Sequence, residues 1–419
     1  MTNWKNNVYI VAEKAKMASF QAQNLTASKK NEFLSHLAEI LIQTTDEILK
    51  QNEKDVKKCQ RLNYSKAFID RLLLTPERIK KMSLALKNVM NLEDPCGKLI
   101  WEVVRPNGLV IKKVRVPIGV IAIIYESRPD VTIEAASLCI KSGNCAILRG
   151  GSESISSNMI LIACLKQALE KSGISPDVVG LITGGGRRAV NYLLSLDSFI
   201  DLVIPRGGES LIRAVIENSK IPVIKHYKGV CHIYIDREAD LKMALDVCLN
   251  AKAQRPATCN AVETLLVHRD IAGVFIPEMA KVFNQHNVEI RGCSETLKII
   301  PFAKQATEQD WYEEYLDLII SVKVVENIDD AIKHINKYGT RHSDAIITSN
   351  KESAEKFLKE VDSACVYHNA STRFTDGGEF GLGAEIGIST DKIHARGPMA
   401  LEELTTYKYL IYGNGQLRR

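Results

Sequence analysis

Gly119-Val120-Ile121-Ala122-Ile123-Ile124-Tyr125-Glu126-Ser127-Arg128-Pro129-Asp130 places six apolar residues in an unbroken run between a glycine and a polar turn. A strand that is apolar without alternation is covered on both faces, as in a parallel sheet with helices on each side. The residues that follow agree. Asp130 is placed to cap a helix whose apolar face carries Ile133, Ala136 and Ile140, and Gly143 ends it. A buried strand is expected at 145–148 and a helix at 152–172. Further strands are expected at 178–182, 200–204 and 221–225, with helices opening at Arg187 and Glu209. Strand and helix alternate throughout, so the expected core is a set of βα units wound around a parallel sheet.

Upstream, the first 95 or so residues are helical in pattern. Leu34, Leu37 and Leu41 recur at helical spacing, and Thr75-Pro76 is a helix start followed by the stripe Ile79, Met82, Leu86, Val89. Between this region and the sheet, Trp101-Glu102-Val103-Val104 and Leu109-Val110-Ile111-Lys112 flank Pro106-Asn107-Gly108, the signature of a β-hairpin. A lone hairpin in an α/β chain has edges to satisfy, against its own domain or against a partner subunit. Downstream, a second α/β block opens near Tyr234. Its expected helices are 240–251 (capped by Asp240), 276–283 (with Pro277 in its first turn), 329–337 and 351–360, and its expected strands are 262–267, 316–325, 345–348 and 364–367. The segment 405–412 is β-rich and suited to join another sheet.

The chain has 419 residues, enough for two or three domains. Hydrophobic residues make up 45% and charged residues 25%, which excludes a disordered or fibrous class. Lys plus Arg is 55 against Asp plus Glu 50, and no basic patch concentrates the excess of +5, so a nucleic-acid binder is not expected. The apolar run at 116–125 is interrupted by Pro117 and Gly119, so no membrane span is expected. The start Met1-Thr2-Asn3-Trp4-Lys5 has no signal-peptide core, and the expectation is a cytoplasmic enzyme whose ten cysteines stay reduced.

One cysteine stands apart. Cys259 lies in Ala253-Gln254-Arg255-Pro256-Ala257-Thr258-Cys259-Asn260, a turn between a helix and an apolar strand. Nearby Arg255 and backbone amides can stabilise a thiolate there. Cys139, Cys145, Cys164, Cys231 and Cys248 fall in helix or strand cores, where cysteine acts as a small hydrophobe. No Cys/His spacing suits a metal, so no metal site is expected. Glycine loops follow three strands: Arg149-Gly150-Gly151-Ser152, Gly184-Gly185-Gly186-Arg187 and Arg206-Gly207-Gly208-Glu209-Ser210. Such loops open helix N-termini to phosphate, and Arg149 at a strand end suits a ribose 2′-phosphate or is simply a surface arginine. Tyr125 to Asp130 sits where open α/β sheets bind ligands, and the polar loop at 369–381 has the composition of a binding loop. Lys225-His226-Tyr227 and His232 offer a base for Cys259, which would suit a cysteine hydrolase or acyltransferase; a structural role for them is the other reading.

Pro117-Ile118-Gly119-Val120, Tyr125-Glu126-Ser127-Arg128-Pro129, Gln254 to Cys259, Asn369 to Gly387 and His394-Ala395-Arg396-Gly397-Pro398 together resemble the gamma-glutamyl phosphate reductases of the aldehyde dehydrogenase superfamily. The resemblance covers essentially the whole chain. It implies two Rossmann-type parallel-sheet domains plus a small β oligomerisation element. Residues 1–232 would form a cofactor domain interrupted by a hairpin at 98–118, 233–390 a catalytic cysteine domain, and 391–419 a return to the oligomerisation element. It implies NADPH-dependent reduction of L-glutamyl 5-phosphate to glutamate 5-semialdehyde, the second step of proline biosynthesis, through a thioester on Cys259. The second oxyanion donor, an asparagine in the superfamily, matches Ser127. Arg149, Gly150, Gly151, Ser152, Gly207, Gly208 and Glu314 would hold the cofactor, with Glu314 at the nicotinamide ribose. Arg128, Arg255, Ser371, Thr372 and Arg373 would hold the substrate's phosphate and amino-acid ends, with no assignment among them. The general-base glutamate of aldehyde oxidisers would fall near Lys225 or His226, where no acid stands, so oxidation of aldehydes is the lesser reading. The resemblance also implies a homo-oligomer, and the instability of an acyl phosphate suggests contact with glutamate 5-kinase.

Overall fold

A computed structural model describes residues 3–225 and 227–418. The chain divides into two units. The first comprises Met1–Lys225, Gly381–Gly387 and Met399–Arg419; the second comprises His226–Phe380 and Ile388–Pro398.

The first unit opens with five helices: α1 (Asn3–Ala22), α2 (Ala27–Gln43), α3 (Thr45–Arg61), α4 (Lys66–Leu72) and α5 (Pro76–Asn91). The predicted start of α5 is present, with Thr75 accepting the Arg78 amide at 3.2 Å and Pro76 in the first turn. The hairpin follows as β1 (Leu99–Val104) and β2 (Val110–Pro117), and Gly108 takes the positive φ its turn needs. Four parallel strands come next: β3 (Val120–Tyr125), β4 (Cys145–Arg149), β5 (Val179–Leu181) and β6 (Leu202–Arg206). They lie in the order β5-β4-β3-β6, and all six residues of β3 are buried, as its unbroken apolar run requires. Helices α6 (Asp130–Lys141), α7 (Ile155–Lys171), α8 (Gly186–Leu193) and α9 (Glu209–Asn218) connect or follow the strands.

Two local expectations are corrected here. Pro129, not Asp130, takes the cap position of α6, and Asp130 is the first helical residue, its side chain bonded to the Val131 amide at 3.1 Å. Residues 221–225 do not form a strand and touch β6 through a single Val203–Val223 bridge. Pro222 has no amide to donate, so a regular ladder cannot form there.

In the second unit, seven parallel strands take the order β10-β9-β11-β8-β7-β12-β13. They are β7 (Cys231–Ile235), β8 (Val262–His268), β9 (Glu289–Gly292), β10 (Lys304–Gln305), β11 (Ile319–Val325), β12 (Ser343–Ile347) and β13 (Cys365–His368). Helix α10 (Leu241–Ala253) is capped by Asp240, as expected. The helix expected at 276–283 instead runs Arg269–Gln285, so Pro277 is interior. An interior proline costs about 3 kcal/mol, and the burial of Phe275, Ile276, Met279, Ala280 and Phe283 against the sheet offsets it. Two short strands, β14 (Ile388–Ser389) and β15 (Gly397–Pro398), pair with each other.

The last strand, β16 (Thr405–Tyr412), joins the hairpin antiparallel, and the three-stranded sheet runs β1-β2-β16. Among the described residues, no helix is long and apolar enough to cross a membrane.

Candidate active site

In the first unit, parallel pairing brings the carboxyl ends of β3, β4 and β6 level. Ile124 is opposite Arg149, and Tyr125 is opposite Arg206. This gathers Ser127, Arg128, Arg149 to Ser152, Gly207 and Gly208 at one edge of one sheet. Ser127 takes a positive φ of 50°, a conformation held by tertiary contacts rather than preferred by serine. Its amide donates to Glu153 Oε1 at 3.0 Å, and its hydroxyl faces the same oxygen at 3.5 Å. For Ser127 to act as an oxyanion donor, that hydroxyl must rotate away from Glu153. Arg128 is exposed in the same turn.

Arg149 is not a surface arginine: it is 7% exposed, and its Nη1 is bonded to the Gly150 carbonyl. Burial lowers its pKa, while the Glu153 charge opposes that shift. Its Nε has no hydrogen-bond partner although buried. A buried guanidinium with an unmet donor is costly unless an anion completes it, so this corner fits a phosphate-bearing cofactor. Glu153 is a carboxylate that sequence reasoning missed. A Cβ on Gly151 would lie 1.9 Å from its Oε1, so the glycine leaves room for this acid. The Gly208 amide donates to Glu126 Oε2 at 3.0 Å, so a side chain of this chain already occupies that helix N-terminus.

The second unit holds Cys259 in the turn between α10 and β8, half-buried. Among the described residues the cysteines form no disulfide, and Cys139, Cys145, Cys164, Cys231 and Cys248 are buried as expected. Several contacts hold the turn. Thr372 Oγ1, fully buried, donates to the Asn260 carbonyl at 2.7 Å, and the Asn260 amide group donates to the Thr375 carbonyl at 3.0 Å. Thr258 Oγ1 donates to the Arg255 carbonyl at 2.8 Å. Arg373 Nη1 donates to Thr258 Oγ1 at 3.0 Å, and its Nε donates to Gln254 at 2.8 Å. Ser371, also buried, accepts the Arg373 amide at 3.3 Å. Thr372 therefore supports the turn and Ser371 caps the short helix that carries Arg373, while Arg255 belongs to the turn and Arg373 reaches it from the loop. Burial lowers the Arg373 pKa, and the Arg255 charge lowers it further, whereas a Cys259 thiolate would raise it. Arg373 couples electrostatically to Cys259, and a cation beside a thiol favours its ionised form.

Beneath the turn, β7 and the segment that leads into it supply contacts that sequence reasoning missed. A Cβ on Gly229 would sit 1.7 Å from the Cys259 carbonyl oxygen, so only glycine permits this approach. The Cys231 thiol donates to the same oxygen at 3.2 Å. The Gly229 amide donates to Glu314 Oε1 at 2.8 Å. Lys252, on the helix before the turn, and Glu263, on the strand after it, form a fully buried ion pair at 2.6 Å that staples the base of the loop. Burial pushes the Glu263 carboxyl up and the Lys252 ammonium down; their mutual attraction opposes both shifts. His232, offered as a base by its position in the sequence, is buried against Asp344 at 2.9 Å and serves the core. His226 lies outside the described residues.

Comparison with known proteins agrees with this architecture. The aldehyde dehydrogenase family model matches residues 4–318 and 305–409. The chain is 56% identical over 412 residues to the gamma-glutamyl phosphate reductase of Caldanaerobacter subterraneus subsp. tengcongensis, covering 98% of this chain and 100% of that protein. It is 54% identical over 408 residues to that of Thermodesulfovibrio yellowstonii, covering 97% and 98%. The crystal structure of the Thermotoga maritima gamma-glutamyl phosphate reductase superposes with a TM-score of 0.97 at 47% identity, covering 99% of this chain and 100% of that one. The chain belongs to the aldehyde dehydrogenase family, whose members use a nicotinamide cofactor. Within that family it belongs with the gamma-glutamyl phosphate reductases.

Proposed function

We propose that this chain reduces L-glutamyl 5-phosphate to L-glutamate 5-semialdehyde with NADPH, releasing phosphate, as the names of its relatives describe. The observation that carries this reading is the Cys259 turn lined by Arg255 and Arg373. The Cys259 thiolate attacks the acyl-phosphate carbonyl; the carbon–oxygen bond to phosphate breaks and a thioester forms. Arg255 and Arg373 meet the negative charge of the leaving phosphate. The Cys259 backbone amide faces the developing oxyanion. A nicotinamide cofactor, when bound, would supply the hydride needed to reduce the thioester. Collapse of the resulting thiohemiacetal then releases the aldehyde and returns the thiolate. Residues 225–228 (Lys-His-Tyr-Lys) include no acid to activate water, which suits an enzyme that must release its acyl group as an aldehyde.

The test is the reverse reaction. Glutamate semialdehyde and NADP should yield NADPH only when inorganic phosphate is added; NADPH formation without phosphate would refute an acyl-phosphate reductase.

Arg149, Gly150, Gly151 and Ser152 hold the cofactor's adenosine end in this reading, with Gly207 and Gly208 at the end of β6. The buried, incompletely bonded Arg149 supports a 2′-phosphate ligand, hence NADP. Arg149→Ala is expected to raise the KM for NADPH on the order of tenfold or more, the loss of a charge-assisted contact, and to leave that for NADH nearly unchanged. Equal losses with both cofactors would count against the assignment. The three-stranded sheet exposes Trp101, Val104, Tyr407, Tyr409 and Ile411, an apolar surface suited to a second copy of the chain. A cytoplasmic homo-oligomer that receives its unstable substrate from the kinase completes the reading.

A further inference from the structure

Three contacts in the second unit form a line. Glu314 Oε1 accepts the Gly229 amide at 2.8 Å. Gly229 lies against the Cys259 carbonyl at a distance that excludes any side chain. Two residues on, the Cys231 thiol bonds the same carbonyl at 3.2 Å, and the Cys231 amide is tied back to the Gly229 carbonyl at 3.0 Å. The far end of this line is anchored. Next to Glu314, the Tyr315 hydroxyl bonds Asp310 and Ser321, each at 2.8 Å. Asp310 is itself held by Arg291 at 2.7 Å and by the Thr307 amide and hydroxyl, both at 2.7 Å. Burial opposes its ionisation, but these hydrogen bonds hold it well below the usual carboxylate range.

The orientation of the peptide after Cys259 sets the backbone angles of Cys259 and so the direction of its Sγ. We propose that Glu314 is a positioning residue for the nucleophile: through the Gly229 amide it presses the entry of β7 against the Cys259 carbonyl. The thiol is thereby aimed before any cofactor or substrate is present. This goes beyond the reaction assigned above, because it requires only that Cys259 be the reacting thiol. A residue that merely held a cofactor ribose would have no effect on the empty protein.

The experiment uses the full chain without cofactor or substrate. The rate of Cys259 alkylation by iodoacetamide is followed by peptide mass spectrometry, with the buried Cys248 peptide as a built-in report of folding. Glu314→Ala is expected to slow alkylation of Cys259 about tenfold, the usual effect of losing a hydrogen bond to a charged group, with Cys248 still protected. Glu314→Gln keeps an oxygen acceptor for the Gly229 amide and is expected to stay within about twofold of the parent. An unchanged or faster rate in Glu314→Ala with Cys248 protected would overturn the proposal, and so would Glu314→Gln being as slow as Glu314→Ala. If Glu314→Ala leaves Cys248 exposed, Glu314→Asp decides the matter: its shorter reach should slow Cys259, and a parental rate overturns the proposal. Because no NADPH or glutamyl phosphate is present, these outcomes are independent of whether the reverse assay shows phosphate dependence.

Discussion

Cys259→Ser should lower turnover by on the order of 10⁴-fold or more, the scale on which removing an enzyme's nucleophile is felt. The reasons are chemical. Sulfur is intrinsically the stronger nucleophile and its anion is favoured beside a guanidinium, whereas a serine hydroxyl gives up its proton far less readily and remains a poor nucleophile. Geometry is not the cause of the loss, because oxygen for sulfur adds no atom and leaves the Cys259 carbonyl in its contacts with Gly229 and Cys231. Binding of NADPH, measured by quenching of protein fluorescence or by calorimetry, is expected to persist with an affinity near that of the parent. Residual turnover within tenfold of the parent would refute a covalent thioester route.

The second large effect is on stability. Lys252 and Glu263 are both fully buried and meet at 2.6 Å, so removing one partner strands a charge in the core. Lys252→Met is expected to cost about 3–5 kcal/mol of unfolding free energy, the usual result of breaking a buried pair from one side. The double variant Lys252→Met/Glu263→Leu should recover most of that loss, because two apolar side chains of similar volume need no partner. The pH dependence carries a sign. In Lys252→Met, burial still raises the Glu263 carboxyl, but the ammonium that opposed the rise is gone. In the unfolded chain that carboxyl titrates at about 4.3, so over the window above this value the folded variant holds a proton that the unfolded chain has released. Stability of the variant therefore falls as pH rises through that window and recovers on acidification. Urea unfolding between about pH 5 and 8 measures this. A deficit that does not change with pH, or a double variant no better than the single, would show that the pair is solvated or that its role is only to fill space.

These two effects draw on different kinds of information. Cys259 is legible from the sequence alone, because a cysteine among Pro256, Ala257, Thr258 and Asn260, between a helix and an apolar strand, has no core face to belong to. Arg373 stands out by its place in a long polar loop, but its nearness to Arg255, which lies 118 positions earlier, does not. Glu153 escapes notice because an acid in the first turn of a helix is ordinary, and nothing local says that it bonds the Ser127 amide. Arg149 is recognisable as the residue at the end of β4, yet one dimension cannot distinguish a surface guanidinium from one that is 7% exposed. The expected strand at 221–225 fails for a local reason that is itself legible: Pro222 lacks the amide a ladder requires.

The sequence by itself determined the winding of βα units, the hairpin at Asn107-Gly108, the capped starts at Thr75 and Asp240, and the turn that bears Cys259. Each of these depends on periodicity, on φ preference or on a donor within a few residues, so neighbouring side chains suffice to specify it. Only the tertiary structure decided how the Cys259 turn is held. Cys231 reaches Cys259 across 28 residues, and Glu314 reaches Gly229 across 85. Parallel strands are joined by long crossovers, so groups that touch at one end of the sheet lie far apart along the chain. The glycine that admits the Cys259 carbonyl and the lysine buried beside Glu263 look like ordinary residues in one dimension, and acquire their roles only from what packs against them.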